Sequence, residues 1–181
     1  MHVLVTGGTG HIGSYIIPEL VAAGHEVTGL ARSDKSAAAV VGEYGDAVDG
    51  KVVVDITNPI TPDFTGFVTP DGSSGAQEIA KAAPADADVV KAFNTQFSHV
   101  LAAGPVEGHP LDVFLAGDDA QAKARVSAFI ESLGLRPMDT GQLPMARTLE
   151  HVALLSLGLV AHSVKNTNFS LGVSLLGSAR Q

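Results

Sequence analysis

The chain has 181 residues, 45% of them hydrophobic, with 11 Lys and Arg against 19 Asp and Glu and a formal net charge of −8. That length suits one domain, with or without an appendage, and so acidic a surface argues against nucleic acid or anionic membrane as the main partner, because phosphate binding needs clustered Lys and Arg. Cysteine is absent, which removes disulfides, thiolate metal sites and cysteine nucleophiles, and the 7 histidines show no HExxH or HxxxH spacing, so no metal site is expected.

In chain order, "HVLVT" (residues 2–6) is a short β-branched run followed at once by glycines, the pattern of a buried parallel strand. Residues 11–23 then read as a helix, with Ile12, Ile16, Leu20 and Ala23 at helical spacing, Pro18 inside it and Gly24 as its C-cap. "HEVTGLAR" (residues 25–32) is the second strand, and "SDKSAAAV" opens a helix capped by Ser33 or Asp34. "KVVVDIT" (residues 51–57) is a third, nearly continuous apolar strand, and a Pro, Gly, Ser and Thr-rich loop follows it. A helix over residues 74–82, a strand "DVVKAFN" (residues 88–94) and a short helix over residues 96–103 come next.

"DVFLAG" is a strand, and "DDAQAKARVSAFIESLG" an amphipathic helix ending at Gly134. Asp118 and Asp119 sit where that helix begins, so capping and dipole roles fit them better than metal ligation. "LRPMDTG" is an edge strand weakened by Pro137. Residues 143 to about 165 form one long helix, followed by a tail of mixed polarity. The longest apolar run, "HVALLSLGLVAHSV", is too short to span a bilayer, and no basic leader with an apolar stretch opens the chain. A cytoplasmic protein is expected. Alternating strands and helices predict an α/β fold with a Rossmann-like, mostly parallel sheet and a C-terminal helix. The expected division is a dinucleotide-binding domain over residues 1–142 and a helical dimerisation segment over residues 143–181.

The motif that carries chemistry is "VTGGTGHIGS". Gly8, Gly10 and Gly13 fit the dinucleotide fingerprint, and Gly7, Gly10 and Gly13 fit its variant with one more residue between the first two glycines. Glycine permits the tight turn, lets backbone touch the pyrophosphate and lets the helix pack close to the strand. The helix start then offers free N–H groups to phosphate. Nicotinamide adenine dinucleotide enzymes usually place an acid at the end of the second strand to bind ribose hydroxyls. This chain has "GLARSDK" there, and the cluster of Arg32, Ser33 and Lys35 favours a 2′-phosphate, hence NADP over NAD, while Asp34 could serve the ribose hydroxyls or cap the helix. Ligands of open α/β sheets lie beyond the C-terminal strand ends. Those ends are Thr9, Gly10, His11 and Ile12; Arg32 and Ser33; Asn58 and Pro59; and Asn94 and Thr95. Asn and Thr there can bond a carboxamide or a ring edge, or serve as loop and cap residues.

Two families are visible. The first 39 residues, "MHVLVTGGTGHIGSYIIPELVAAGHEVTGLARSDKSAAA", resemble the NAD(P)-dependent epimerase/dehydratase branch of the short-chain dehydrogenases. "GKVVVDITNP", "VVKAFNT", "VFLAGDDAQAKARV", "LGLRPMDTGQL" and "ARTLE", between about residues 43 and 177, come in the order seen in the NADPH-dependent reductases of the deazaflavin coenzyme F-420. Short-chain dehydrogenase chemistry needs Tyr-x-x-x-Lys, but Tyr15 is followed by Glu19 and Tyr44 by Val48, so that catalysis is not expected.

The deazaflavin resemblance implies direct hydride transfer between NADP(H) and the deazaflavin or a flavin-like acceptor, with no catalytic side chain required. It also implies a homodimer whose C-terminal helices meet. It places Asp139 and Glu150 at family positions with structural roles. The chain departs from this family between its second strand and "KVVVDIT", where one helix stands in place of a further βα unit of roughly thirty residues. The sheet is therefore expected to be shortened, in a natural short chain or in a hybrid joined near residues 38–42. A dinucleotide-binding protein without catalysis, and a joined fold with little or no activity, are the alternatives.

Overall fold

The computed structural model describes residues 2–5, 16, 19, 22–24, 26–29, 49–105 and 110–174. Six strands form one sheet: β1 (His2–Val5), β2 (Glu26–Gly29), β3 (Val52–Asp55), β4 (Asp88–Ala92), β5 (Asp112–Gly117) and β6 (Arg136–Asp139). Their order across the sheet is β2-β1-β3-β4-β5-β6. Every neighbouring pair is parallel except β4 with β5. The sheet is thus Rossmann-like and mostly parallel. Within the described residues β2 is an edge strand, as a shortened sheet requires.

Four described helices cover the sheet: α1 (Gly75–Ala82), α2 (Ser98–Ala103), α3 (Ala120–Ser132) and α4 (Met145–Leu159). Ile16, Glu19 and Ala22 occupy helical positions between β1 and β2. Gly24 follows them at φ +77°, the left-handed conformation that ends helices. Helix starts follow local chemistry. Ser74 caps α1 by accepting from the Gln77 amide, and Asp119 caps α3 by accepting from the Ala122 amide. Asp118 instead accepts from the Leu143 amide at 2.9 Å, which ties the approach to α4 to the end of β5. The long C-terminal helix runs regularly to Leu159 and then widens into a π-helical turn, Val160–Val164. Lys165 stops it in the left-handed region at φ 57°.

Strand alternation sorts the core into two layers. Val52, Val54, Val90 and Ala92 face one side and pack with Ile16, Val100, Val126, Phe129 and Ile130. Val53 and Val89 face the other and pack with Ala76, Ile79, Leu143 and Ala146, from α1 and the start of α4. The same alternation puts Asp55 and Lys91 on that second side, two residues beyond Val53 and Val89. Among the described residues no helix is long and apolar enough to cross a membrane.

Candidate functional site

The C-terminal ends of β1, β2, β3 and β4 share one sheet edge, because Val5 is in register with Gly29 and Val54, and Asp55 with Lys91. A pocket of about 380 Å³ opens at this edge. Asn58, Ile60 and Phe64, which follow β3, form one wall, and Asn94 to Ser98, which follow β4, form another. Ala153, Ser156 and Leu157 of α4 close the third side. The turn out of β4 is made by Phe93, buried and held at φ 65°, an unusual backbone state for a bulky residue. Such conformations persist where surrounding packing fixes them, often beside a ligand site.

Two asparagines lock the first two walls together. Asn58 Nδ2 donates to the Asn94 carbonyl at 2.8 Å, and Asn94 Nδ2 donates to Asn58 Oδ1 at 2.9 Å. Reversing either amide would oppose two acceptors or two donors, so the pair fixes both orientations. It leaves Asn94 Oδ1 buried and without a partner among the described residues, as are Thr95 Oγ1 and Gln96 Oε1. Three such groups on consecutive residues are costly, because a buried unpaired polar atom forfeits its hydration. Gln96 itself is held by donating to the carbonyls of Asp112 at 2.9 Å and Leu171 at 3.2 Å.

Beneath the pocket lies a closed ionic cluster. Lys91 Nζ reaches Asp55 Oδ2 and Glu150 Oε1, both at 2.8 Å, and also donates to the Thr57 carbonyl. Its three N–H donors are therefore all used. Glu150 Oε1 accepts a further bond from the Gly75 amide, at the start of α1, at 2.9 Å. A Cβ at Gly75 would stand 3.2 Å from that oxygen and from Thr57 Oγ1, so any larger residue there would push on the Glu150 and Thr57 side chains. Burial pushes the Glu150 carboxyl above its ordinary range; Lys91 opposes the shift and Asp55 adds to it.

Of the residues expected from the sequence, Asn58, Asn94 and Thr95 meet in one pocket. Pro59 is adjacent but is not among the lining residues; its ring lies near Gly75. Gly7, Gly8, Thr9, Gly10, His11, Ile12, Gly13, Arg32 and Ser33 lie outside the described residues. β1 and β2, which precede those segments, end at the pocket's edge of the sheet. Asp119 is a helix cap, His99 is exposed and stacks on Phe97, and no group of metal-binding side chains occurs among the described residues. Sequence reading did not single out Lys91 or Asp55, although each is a charged residue within an apolar strand run, nor the helical wall from α4.

Comparison with known proteins bears out both resemblances. Residues 3–72 match the NAD dependent epimerase/dehydratase family. An F420-dependent NADP reductase of Methanothermobacter marburgensis is 28% identical over 145 residues, 76% of this chain and 62% of that protein. The metalloreductase STEAP3 of Rattus norvegicus is 36% identical over 109 residues, 60% of this chain and 21% of that protein. This chain thus spans less than two thirds of either relative's length. A crystal structure of a provisionally assigned F420-dependent NADP reductase from Arthrobacter sp. FB24 has the same fold, with a TM-score of 0.76 at 24% identity, covering 96% of this chain and 99% of that one. The chain has a Rossmann-like fold and is similar, over most of its length, to NADP-dependent oxidoreductases.

Proposed function

We propose that the chain is an NADP-dependent oxidoreductase that transfers hydride between NADP(H) and a deazaflavin, coenzyme F-420, or a flavin-like acceptor. The observation that carries the reading is the row of unpartnered buried atoms on Asn94, Thr95 and Gln96, in the wall of a pocket at the strand ends. A carboxamide-bearing ring suits that wall, since its N–H donors can satisfy Asn94 Oδ1 or Thr95 Oγ1. Phe64, Phe97, Ile60 and Leu157 supply apolar surface for a planar ring. NADP(H) supplies the hydride when bound.

The protein's own task is then positional. Asn58 fixes Asn94, Asn94 and Thr95 orient the ring edge, and the apolar side chains keep water away. Lys91 has no free N–H, so no proton transfer is assigned to it. The glycine loop, Gly7 to Gly13, would hold the pyrophosphate, and Arg32 with Ser33 the 2′-phosphate. The reading includes a homodimer through the C-terminal segment, where Leu155 and Val164 are exposed apolar residues.

Titration with NADPH, followed by mixing the complex with oxidised F-420 or with a flavin, tests the reading. Saturable binding and acceptor reduction are expected. Binding without reduction of either acceptor would favour a dinucleotide-binding protein without catalysis.

A further inference from the structure

The ionic cluster under the pocket buries three charged side chains together. A buried cation with two carboxylates is seldom more stable than well-packed apolar residues of the same volume. Its position suggests another use. Three residues past Asp55 comes Asn58, and three past Lys91 comes Asn94, the two locked asparagines. Three, six and seven residues past Glu150 come Ala153, Ser156 and Leu157, one helical face and the third wall. Lys91 also holds the Thr57 carbonyl, the peptide that leads into Asn58. Each wall of the pocket is therefore a short extension of one member of the cluster.

We propose that Lys91 is the positioning residue of this pocket and that Glu150, which seats the helical wall on Lys91, makes ligand affinity depend on pH. The inference rests on the oxidoreductase reading for the identity of the ligand, but not for the positioning itself. The groups facing Glu150 are Asp55 from β3, Lys91 from β4 and the Gly75 amide from the start of α1. On its own helix the nearest ionisable residues are Arg147, three residues before, and His151, which is exposed and bonds the Arg147 carbonyl. With Glu150 protonated, Lys91 and Asp55 balance. With Glu150 ionised, one negative charge is in excess among groups almost wholly shut off from water. Burial already favours the protonated form. Rising pH therefore adds a second negative charge beside a single cation, at a burial cost that the Lys91 and Gly75 bonds offset only in part, and the wall carrying Ala153 and Ser156 loosens.

The test compares the full chain with Glu150→Gln, which keeps an acceptor for Lys91 and Gly75 but cannot ionise. NADPH affinity is measured from about pH 5 to about pH 9. The parent is expected to weaken about tenfold relative to Glu150→Gln across that range, the effect of one unit of linked titration. The ligand's own 2′-phosphate titrates equally in both and cancels. Identical profiles would overturn the proposal.

A second readout needs no ligand: hydrogen exchange of segments 94–98 and 153–157, corrected for intrinsic rates. Exchange should rise with pH in the parent and not in Glu150→Gln, and should be fast at every pH in Lys91→Met. If Lys91→Met does not fold, the Glu150→Gln comparison decides. A parent that binds no NADPH at any pH would defeat the oxidoreductase reading, and the exchange data alone would then uphold or overturn the positioning role.

Discussion

Asp55 and Lys91 are register partners on adjacent parallel strands, and their side chains meet at 2.8 Å with no exposure to solvent. Neither charge can be removed without consequence for the other. Lys91→Met would leave Asp55 and Glu150 buried with no cation between them. A loss of about 3–5 kcal/mol is expected, the usual cost of breaking a buried pair from one side. Glu150→Gln should cost clearly less, since Lys91 keeps Asp55. Urea unfolding of both variants checks this. Equal losses would mean that the cluster does not act as a charge-balanced unit.

A second expectation concerns acid. Arg136 grips Asp112 through two bonds, and the Val173 amide adds a third. The Arg136 hydrogen bonds, with help from that amide and the nearby charge, hold the Asp112 carboxyl below its ordinary 3.8. A depressed carboxylate contributes stability that is present above the unfolded value and lost as pH falls through the folded one. Asp112→Asn should therefore flatten the acid limb of the stability curve. Glu150 acts with the opposite sign: its raised value gives stability that is full below the ordinary 4.5 and lost as pH rises through the folded value. Thermal unfolding against pH for Asp112→Asn and Glu150→Gln should show the two limbs altered separately.

How much of this was legible in the sequence follows from what kind of signal each part leaves. Ser74 and Asp119 act locally, so their caps could be read from the residues alone. The edge position of β6 followed from Pro137, which cannot donate to a neighbour strand. Asn58 and Asn94 were identifiable because they follow strands, but they stand 36 positions apart and their mutual bonds depend on the register of β3 with β4. Lys91 carries no signal of its own in the sequence, a single charge within an apolar strand run. Only the sheet order and the seat of α4 reveal that it is sealed. The start of α2 at Ser98 rather than residue 96 reflects the turn at Phe93, whose left-handed backbone no propensity announces for phenylalanine.

Cofactor choice gives a third prediction. NADP should bind better than NAD, and Arg32→Ala should narrow the gap by about 1–3 kcal/mol, the usual worth of a hydrogen bond to a charged group. Parallel titrations with the two dinucleotides measure it. Equal affinity of the parent for both would contradict the assignment of Arg32 and Ser33 to a 2′-phosphate.

Assembly gives a fourth. The tail crosses β5 and β6 of its own chain: Val173 bonds Asp112 and Arg136, Leu171 bonds Gln96, and Phe169 meets Phe97 edge-on at 5.5 Å. Exposed Leu155 and Val164 remain on the C-terminal helix. The full chain is expected to sediment as a dimer at tens of micromolar, and a chain ending at Val164 to dimerise more weakly. A monomeric full chain would reject the dimer; a truncated dimer of equal strength would clear the tail of any part in it.

The most direct test of the central claim is NADPH binding by the parent and by Asn94→Ala, each confirmed to be folded. Asn94 joins both strand-end walls and carries one of the unpartnered buried atoms. One saturable site is predicted in the parent, weakened by about 1–3 kcal/mol in Asn94→Ala, with hydride from the bound NADPH reaching F-420 or a flavin. Unchanged affinity in Asn94→Ala, or no NADPH binding by the folded parent, would contradict the account.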